Sequence, residues 1–211
     1  LELAEVGSPA AAATLATIEV RNHPSGAPWV AVDGEAAAVE VSLTDRAGWA
    51  VCLVGPAGAS EALGVDLELV EPRTDRFVAD FFTEREQRWV RSLAPGDACD
   101  AAANLVWSAK EAALKVLQVG LRADTRTVEV AVDDRPDARG WSPLTMTGAD
   151  GDRFHGWWRR DGAFVLTLAA RSPFAPPERL PGSADLARAD PLHSWLDDPL
   201  VPDGSVPEPG V

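Results

Sequence analysis

Two helical patterns follow one another between residues 75 and 119, with β-branched runs before and after them. Phe77, Phe81, Trp89 and Leu93 give a partial apolar stripe over a first helix from about Asp75 to Leu93. A second is expected from about Asp97 to Val119, stopped by Gly120 at a C-cap position. Strands are expected at roughly Ala38 to Leu43, Trp49 to Val54, Leu63 to Val70 and Thr127 to Val132. A hairpin pairs Phe154 to Arg159 with Ala163 to Ala170 around Arg160-Asp161-Gly162, where Asp-Gly supplies tight-turn chemistry. Helices grouped between strands predict an α+β fold, an antiparallel sheet with long helices packed on one face.

The run ALGVDLELV carries the first chemical signal. Side chains on a strand alternate, so Asp66 and Glu68 share one face while Val65, Leu67 and Leu69 share the other. Two converging carboxylates suit a hard divalent cation such as Mg²⁺, which takes one or two carboxylates and completes its shell with water and phosphate oxygens. A solvated strand edge would carry the same pattern.

The second signal is WSAKEAALK, which holds both lysines of a chain with 19 cationic residues, Lys110 and Lys115. A Glu followed four residues later by a Lys, here Glu111 and Lys115, is worth roughly 0.2–0.5 kcal/mol on a helix surface, so a solvated face explains the pair by itself. If the second helix returns across the sheet, however, Glu111 becomes a third carboxylate beside Asp66 and Glu68. Lys110 and Lys115 then stand near it as compact ammonium charges suited to phosphate.

Composition narrows the partners. A formal charge of −14 argues against nucleic acid, because phosphate-backbone binding rests on clustered Lys and Arg. The stretch from Arg73 to Arg91 runs against this balance, with five arginines facing Asp75, Asp80, Glu84 and Glu86. It reads equally as an ordinary helix surface or as a docking surface for an acidic partner. Cys52 and Cys99 make neither a disulfide framework nor zinc spacing, which points to a reducing compartment. LELAEV lacks the pattern of a signal peptide and no run approaches the ~20 apolar residues of a membrane span, so a cytoplasmic, membrane-free setting is expected. The start at Leu1, with the single methionine at Met146, suggests a domain cut from a larger polypeptide. Residues 173–211, rich in Pro and Asp, read as an extended or disordered tail with Leu192, Trp195 and Leu196 as anchors, which leaves 1–172 as the folded domain.

Together, Gly64-Val65-Asp66 and, about forty residues on, Trp107-Ser108-x-Lys110-Glu111-Ala112-x-x-Lys115 resemble the two-part signature of the 4′-phosphopantetheinyl transferases, particularly the surfactin-synthetase-activating type. Leu63 stands where that family prefers Val or Ile. DRFVADFFTEREQRWV is similar to the family's stretch between the motifs, an aromatic pair before a Ser or Thr and an acidic helix start. The resemblance covers roughly residues 26–170, with an abbreviated first half.

It implies transfer of the phosphopantetheine arm of coenzyme A to a serine of an acidic acyl or peptidyl carrier protein, with release of 3′,5′-ADP. On that pattern Asp66, Glu68 and Glu111 hold Mg²⁺, Lys110 and Lys115 steady phosphate oxygens, and Glu111 or a metal-linked water serves as base. Two positions depart from it. Thr44-Asp45 stands in place of a Ser-His whose histidine contacts the 3′-phosphate of coenzyme A, and Ser25-Gly26-Ala27-Pro28 lacks the basic residue of a Gly-Lys-Pro or Gly-Arg-Pro motif. Arg21, Arg46 or Arg73 would have to compensate. The alternative is a degenerate transferase-like module serving as a structural or carrier-docking element. An unrelated Mg²⁺ nucleotide hydrolase lacks a Gly-rich phosphate loop. Integrated transferase domains of this kind occur in enediyne-type iterative polyketide synthases, a setting compatible with the Ala-, Arg-, Asp- and Pro-rich composition.

Overall fold

A computed structural model of the chain describes residues 15–58, 62–118, 123–194 and 196. Strands β1 (Ile18–Asn22), β2 (Pro28–Val32) and β3 (Glu35–Ala36) form a small antiparallel sheet, and β4 (Val39–Arg46) pairs with β5 (Trp49–Pro56) as a hairpin. After β6 (Gly64–Leu69) come helices α1 (Asp75–Phe81), α2 (Glu84–Arg91) and α3 (Asp97–Val116), then β7 (Val128–Val132), β8 (Ser142–Gly148), β9 (Arg153–Asp161) and β10 (Phe164–Ala170). The last four strands and β6 make one antiparallel sheet in the order β6-β10-β9-β8-β7. The fold is α+β, as the order of the patterns predicts.

Strand β10, between β6 and β9, is buried on both faces. Val165 and Ala169 join Met146, Phe154 and the apolar faces of the three helices in one cluster, whereas Phe164, Leu166 and Leu168 join Val65, Leu67 and Leu69 on the opposite side. β6 obeys the same alternation, which turns Asp66 and Glu68 toward the helices. α3 passes close over Gly64: a Cβ there would lie 1.9 Å from the Ala112 carbonyl oxygen. The outer edge of β6 is satisfied by side chains of β4, since Ser42 Oγ accepts from Val65 N at 3.0 Å and Thr44 Oγ1 from Leu67 N at 3.3 Å.

Three local expectations give way. The single helix over Asp75 to Leu93 is two helices, because Phe82 adopts extended backbone and Thr83 starts a new helix with a capping box to Glu86. α3 ends at Val116 with Gln118 in the left-handed region at φ 55°; Gly120 lies outside the described residues. Among the described residues beyond Arg171 there is one 3-10 turn, Leu186–Arg188, yet the chain is docked up to residue 194: Phe174, Leu186 and Ala189 pack on the Leu67 side of the sheet, and Trp157 Nε1 donates to Phe174 O at 2.9 Å. Of the expected anchors, Leu192 and Leu196 are exposed and Trp195 lies outside the described residues. No helix among the described residues is long and apolar enough to cross a membrane.

Candidate functional site

α3 lies against β6 and β10, and its turn sets what each side chain faces. Trp107, Glu111 and Lys115 follow at intervals of four and so share one stripe. That stripe closes a cleft of about 440 Å³ whose other walls are Leu43 to Arg46 of β4, Asp66 to Glu68 of β6, Arg73 and Phe77. All three sequence-predicted carboxylates therefore meet one space, across 45 residues of chain.

Their surroundings differ. Asp66, 2% exposed, accepts from Lys115 Nζ at 3.0 Å and from Thr44 Oγ1 at 3.2 Å through Oδ1. Its Oδ2 is buried with no hydrogen-bond partner among the described residues. Burial pushes the Glu111 carboxyl up to about 8, with the Asp66 and Glu68 charges adding to the rise and Lys115 opposing it. Glu68 is pushed up to about 7, first by burial and then by Asp66; Arg73 and Arg46 hold it back. Arg73 Nη2 lies 2.8 Å and Arg46 Nε 3.2 Å from the same Glu68 oxygen.

Among the described residues no three His, Cys, Asp or Glu side chains are gathered into a ready metal-ligand set. The donors nonetheless fit a hard cation through Asp66 and Glu111. Both offer oxygen ligands, Asp66 has a buried Oδ2 with no hydrogen-bond partner among the described residues, and the Asp66 charge adds to the cost of ionising Glu111, a cost that a divalent charge offsets. Glu68 faces the same cleft but is engaged by two guanidiniums.

Lys110 goes elsewhere. One residue before Glu111 on a helix means a rotation of about 100°, and its side chain is fully buried away from the cleft. Nζ pairs with Glu86 Oε2 at 2.9 Å and donates to Thr125 O at 3.0 Å and to Val128 O. Glu86 also accepts from Thr83 N at 2.7 Å and Val130 N at 2.8 Å. Lys110 thus ties α3 to α2 and β7, and a phosphate cannot reach it. Burial holds its ammonium below the usual lysine range, with Glu86 opposing. The expectation of a second phosphate-binding lysine is corrected here: its charge is spent inside the fold. Glu86, the partner that sequence reasoning missed, was visible only as the end of the Thr83-x-x-Glu86 capping box.

Lys115, with 30% of its side chain exposed, also donates to Val65 O at 2.8 Å, and it borders a second cavity of about 390 Å³. Asn22, Ser25 to Pro28, Glu40 to Leu43, Ala62, Leu63 and Gln118 complete those walls. Ala27 lines this second cavity and Asp45 the first. Of the three arginines considered as compensation, Arg46 and Arg73 line the first cleft, while Arg21 sits outside both, paired with Glu19 at 2.7 Å and stacked over Trp29. Three of the four arginines on α1 and α2 meet acids of the fold: Arg76 pairs with Asp80, Arg88 with Glu84 and Arg85 with Glu129.

No curated protein matches the chain. Residues 62–167, half of the sequence, match the family model described as the 4′-phosphopantetheinyl transferase superfamily. That span runs from the start of β6, through the three helices, to Thr167 beside Ser108, and by this match the chain belongs to the 4′-phosphopantetheinyl transferase superfamily.

Proposed function

We propose that the chain is a Mg²⁺-dependent enzyme of the surfactin-synthetase-activating type that transfers the 4′-phosphopantetheine arm of coenzyme A to a serine of an acidic acyl or peptidyl carrier protein. The observation that carries this reading is the meeting of Asp66, Glu111 and Lys115 at one cleft, with a second cavity opening beside Lys115. The serine oxygen forms a bond to the phosphorus that bears the pantetheine arm, the bond from that phosphorus to the bridging oxygen breaks, and 3′,5′-ADP leaves. Glu111 or a metal-linked water takes the serine proton. Lys115 steadies the charge that grows on the leaving phosphate. Asp66 and Glu111 would hold Mg²⁺, with Glu68 as a third ligand once it parts from the arginines. Bound there, the cation supplies neutralisation of the pyrophosphate. Residues 1–172 are the transferase unit on this reading, in a cytoplasmic setting.

A second reading, a transferase-like module with weakened coenzyme A binding, is favoured by Asp45 and Ala27 in the cavity walls. One experiment separates the two: incubate the chain with coenzyme A, Mg²⁺ and an apo carrier protein, then weigh the carrier. A carrier heavier by one phosphopantetheine supports transfer. An unchanged mass at saturating coenzyme A supports the second reading.

A further inference from the structure

Just past β6 stands Glu71, a buried carboxylate that the proposed chemistry does not use. One of its oxygens accepts from Arg46 Nη2, and the other accepts from Ser194 Oγ at 2.5 Å. Asn104 of α3 fixes its backbone, donating to Glu71 O at 2.7 Å. Arg46 turns its Nε toward Glu68 at 3.2 Å, where Arg73 also binds. Two guanidiniums therefore face two carboxylates, and their charges balance only while Glu71 is in place.

The far end of the chain grips the same spot. Leu192 N donates to Ala47 O at 2.9 Å and Trp49 Nε1 donates to Asp190 O at 2.8 Å, on either side of the turn that follows Arg46. The Leu192 side chain lies over Gly48, where any Cβ would come within 2.4 Å of it. Residues 190–194 thus hold the backbone next to Arg46 and, through Ser194, the carboxylate that receives Arg46. This stretch lies beyond the matched span of residues 62–167.

We propose that Glu71 and Ser194 are positioning residues for the carboxylate cluster, and that residues 190–194 form a strap keeping Arg46 shared between Glu68 and Glu71. Without the Glu71 charge, both guanidiniums rest on Glu68 alone and leave a net positive charge beside Asp66, where a cation has to bind. With it, Glu68 keeps part of its negative field for the cleft. The proposal rests on the metal reading of Asp66 and Glu111.

The test uses Mn²⁺ as the probe, with its binding to the full chain followed by electron paramagnetic resonance well below the melting temperature. Wild type is compared with Glu71→Gln, Ser194→Ala and Ser194→Thr, and circular dichroism checks the fold of each. Glu71→Gln is expected to bind Mn²⁺ roughly 10-fold or more weakly, the scale of losing an outer partner of a metal site. Ser194→Ala should lose affinity in the same direction by less, and Ser194→Thr, which keeps the hydroxyl, should bind like wild type. A folded Glu71→Gln variant with Mn²⁺ affinity unchanged within about two-fold overturns the proposal. Should that variant not fold, unchanged affinity in Ser194→Ala overturns it equally. Failure of the wild type itself to bind Mn²⁺ removes the metal reading, and this proposal with it, before any variant is compared.

Discussion

Lys110 Nζ lies 2.9 Å from Oε2 of Glu86, and neither side chain reaches solvent. Removing one partner of such a pair strands the other charge in the interior, at a cost of about 3–5 kcal/mol, whereas removing both can be nearly neutral. Lys110→Met is therefore expected to lose about that much stability in urea unfolding, and Lys110→Met combined with Glu86→Gln to regain much of it. A Lys110→Met variant as stable as wild type, but impaired in transfer alone, would return this lysine to the reaction.

The carboxylate cluster predicts how stability depends on pH. Glu68 and Glu111 sit at about 7 and about 8 in the fold, above the ordinary 4.5. Between those limits the folded chain holds more protons than the unfolded one, so without metal its stability falls as pH rises through that window. A divalent cation competes with those protons, and the stabilisation it gives should grow over the same range. Melting temperatures at about pH 6 and about pH 8, with and without Mg²⁺, check both statements. Glu111→Gln should flatten the metal-free dependence, and a metal-free melting temperature that climbs from the lower to the higher pH contradicts the assignment.

How much of this could be read in advance depends on how local each cause is. The alternation in GVDLEL and the four-residue steps Trp107, Glu111 and Lys115 are properties of single elements, so the strand face and the helix stripe were legible. The meeting of Asp66 with Glu111 was conditional, because it needs α3 to cross β6, and the close approach at Gly64 decides that. The break at Phe82 was overread, since an aromatic stripe continues through it while the capping box Thr83-x-x-Glu86 marks a new start. β8 was hidden by Pro143 and Gly148 at its ends, and β1 by its exposed faces. Docking of residues 173–194 was illegible, because Phe174, Leu186 and Ala189 arrive singly and gain meaning only against the sheet. Lys110 was misassigned because composition singled out two lysines, while helix geometry separates them.

Gly64 offers a direct check on the packing that builds the site. Gly64→Ala places a methyl group 1.9 Å from the Ala112 carbonyl oxygen and 3.1 Å from Val116 Cγ2, so α3 has to shift off β6. Overpacking of this kind costs about 1–3 kcal/mol or more, and a displacement on the order of 1 Å between catalytic groups can cost about 100-fold in rate. Loss of both stability and transfer is expected. A Gly64→Ala variant with wild-type melting temperature and activity would show that the helix need not approach so closely.

Lys115 carries the sharpest difference between a structural and a chemical role. As a helix-surface partner of Glu111 it would contribute a few tenths of a kcal/mol, and Lys115→Gln would scarcely alter function. Its bonds to Val65 O and to the buried Asp66 carboxylate add a structural tie between α3 and β6; a glutamine amide can still donate but carries no charge, so Lys115→Gln should also lower the melting temperature, and the kinetics are read well below it. Against a phosphate in a half-enclosed cleft the ammonium makes a charge-assisted hydrogen bond worth about 1.5–3 kcal/mol, and its loss should lower kcat/KM about ten- to a hundredfold. Lys115→Arg keeps the charge but presents a longer, planar fork, so it should restore the rate only in part. Kinetics of the three proteins with coenzyme A as the varied substrate measure this. Equal kcat/KM for all three would leave Lys115 as a tie between helix and strand and nothing more.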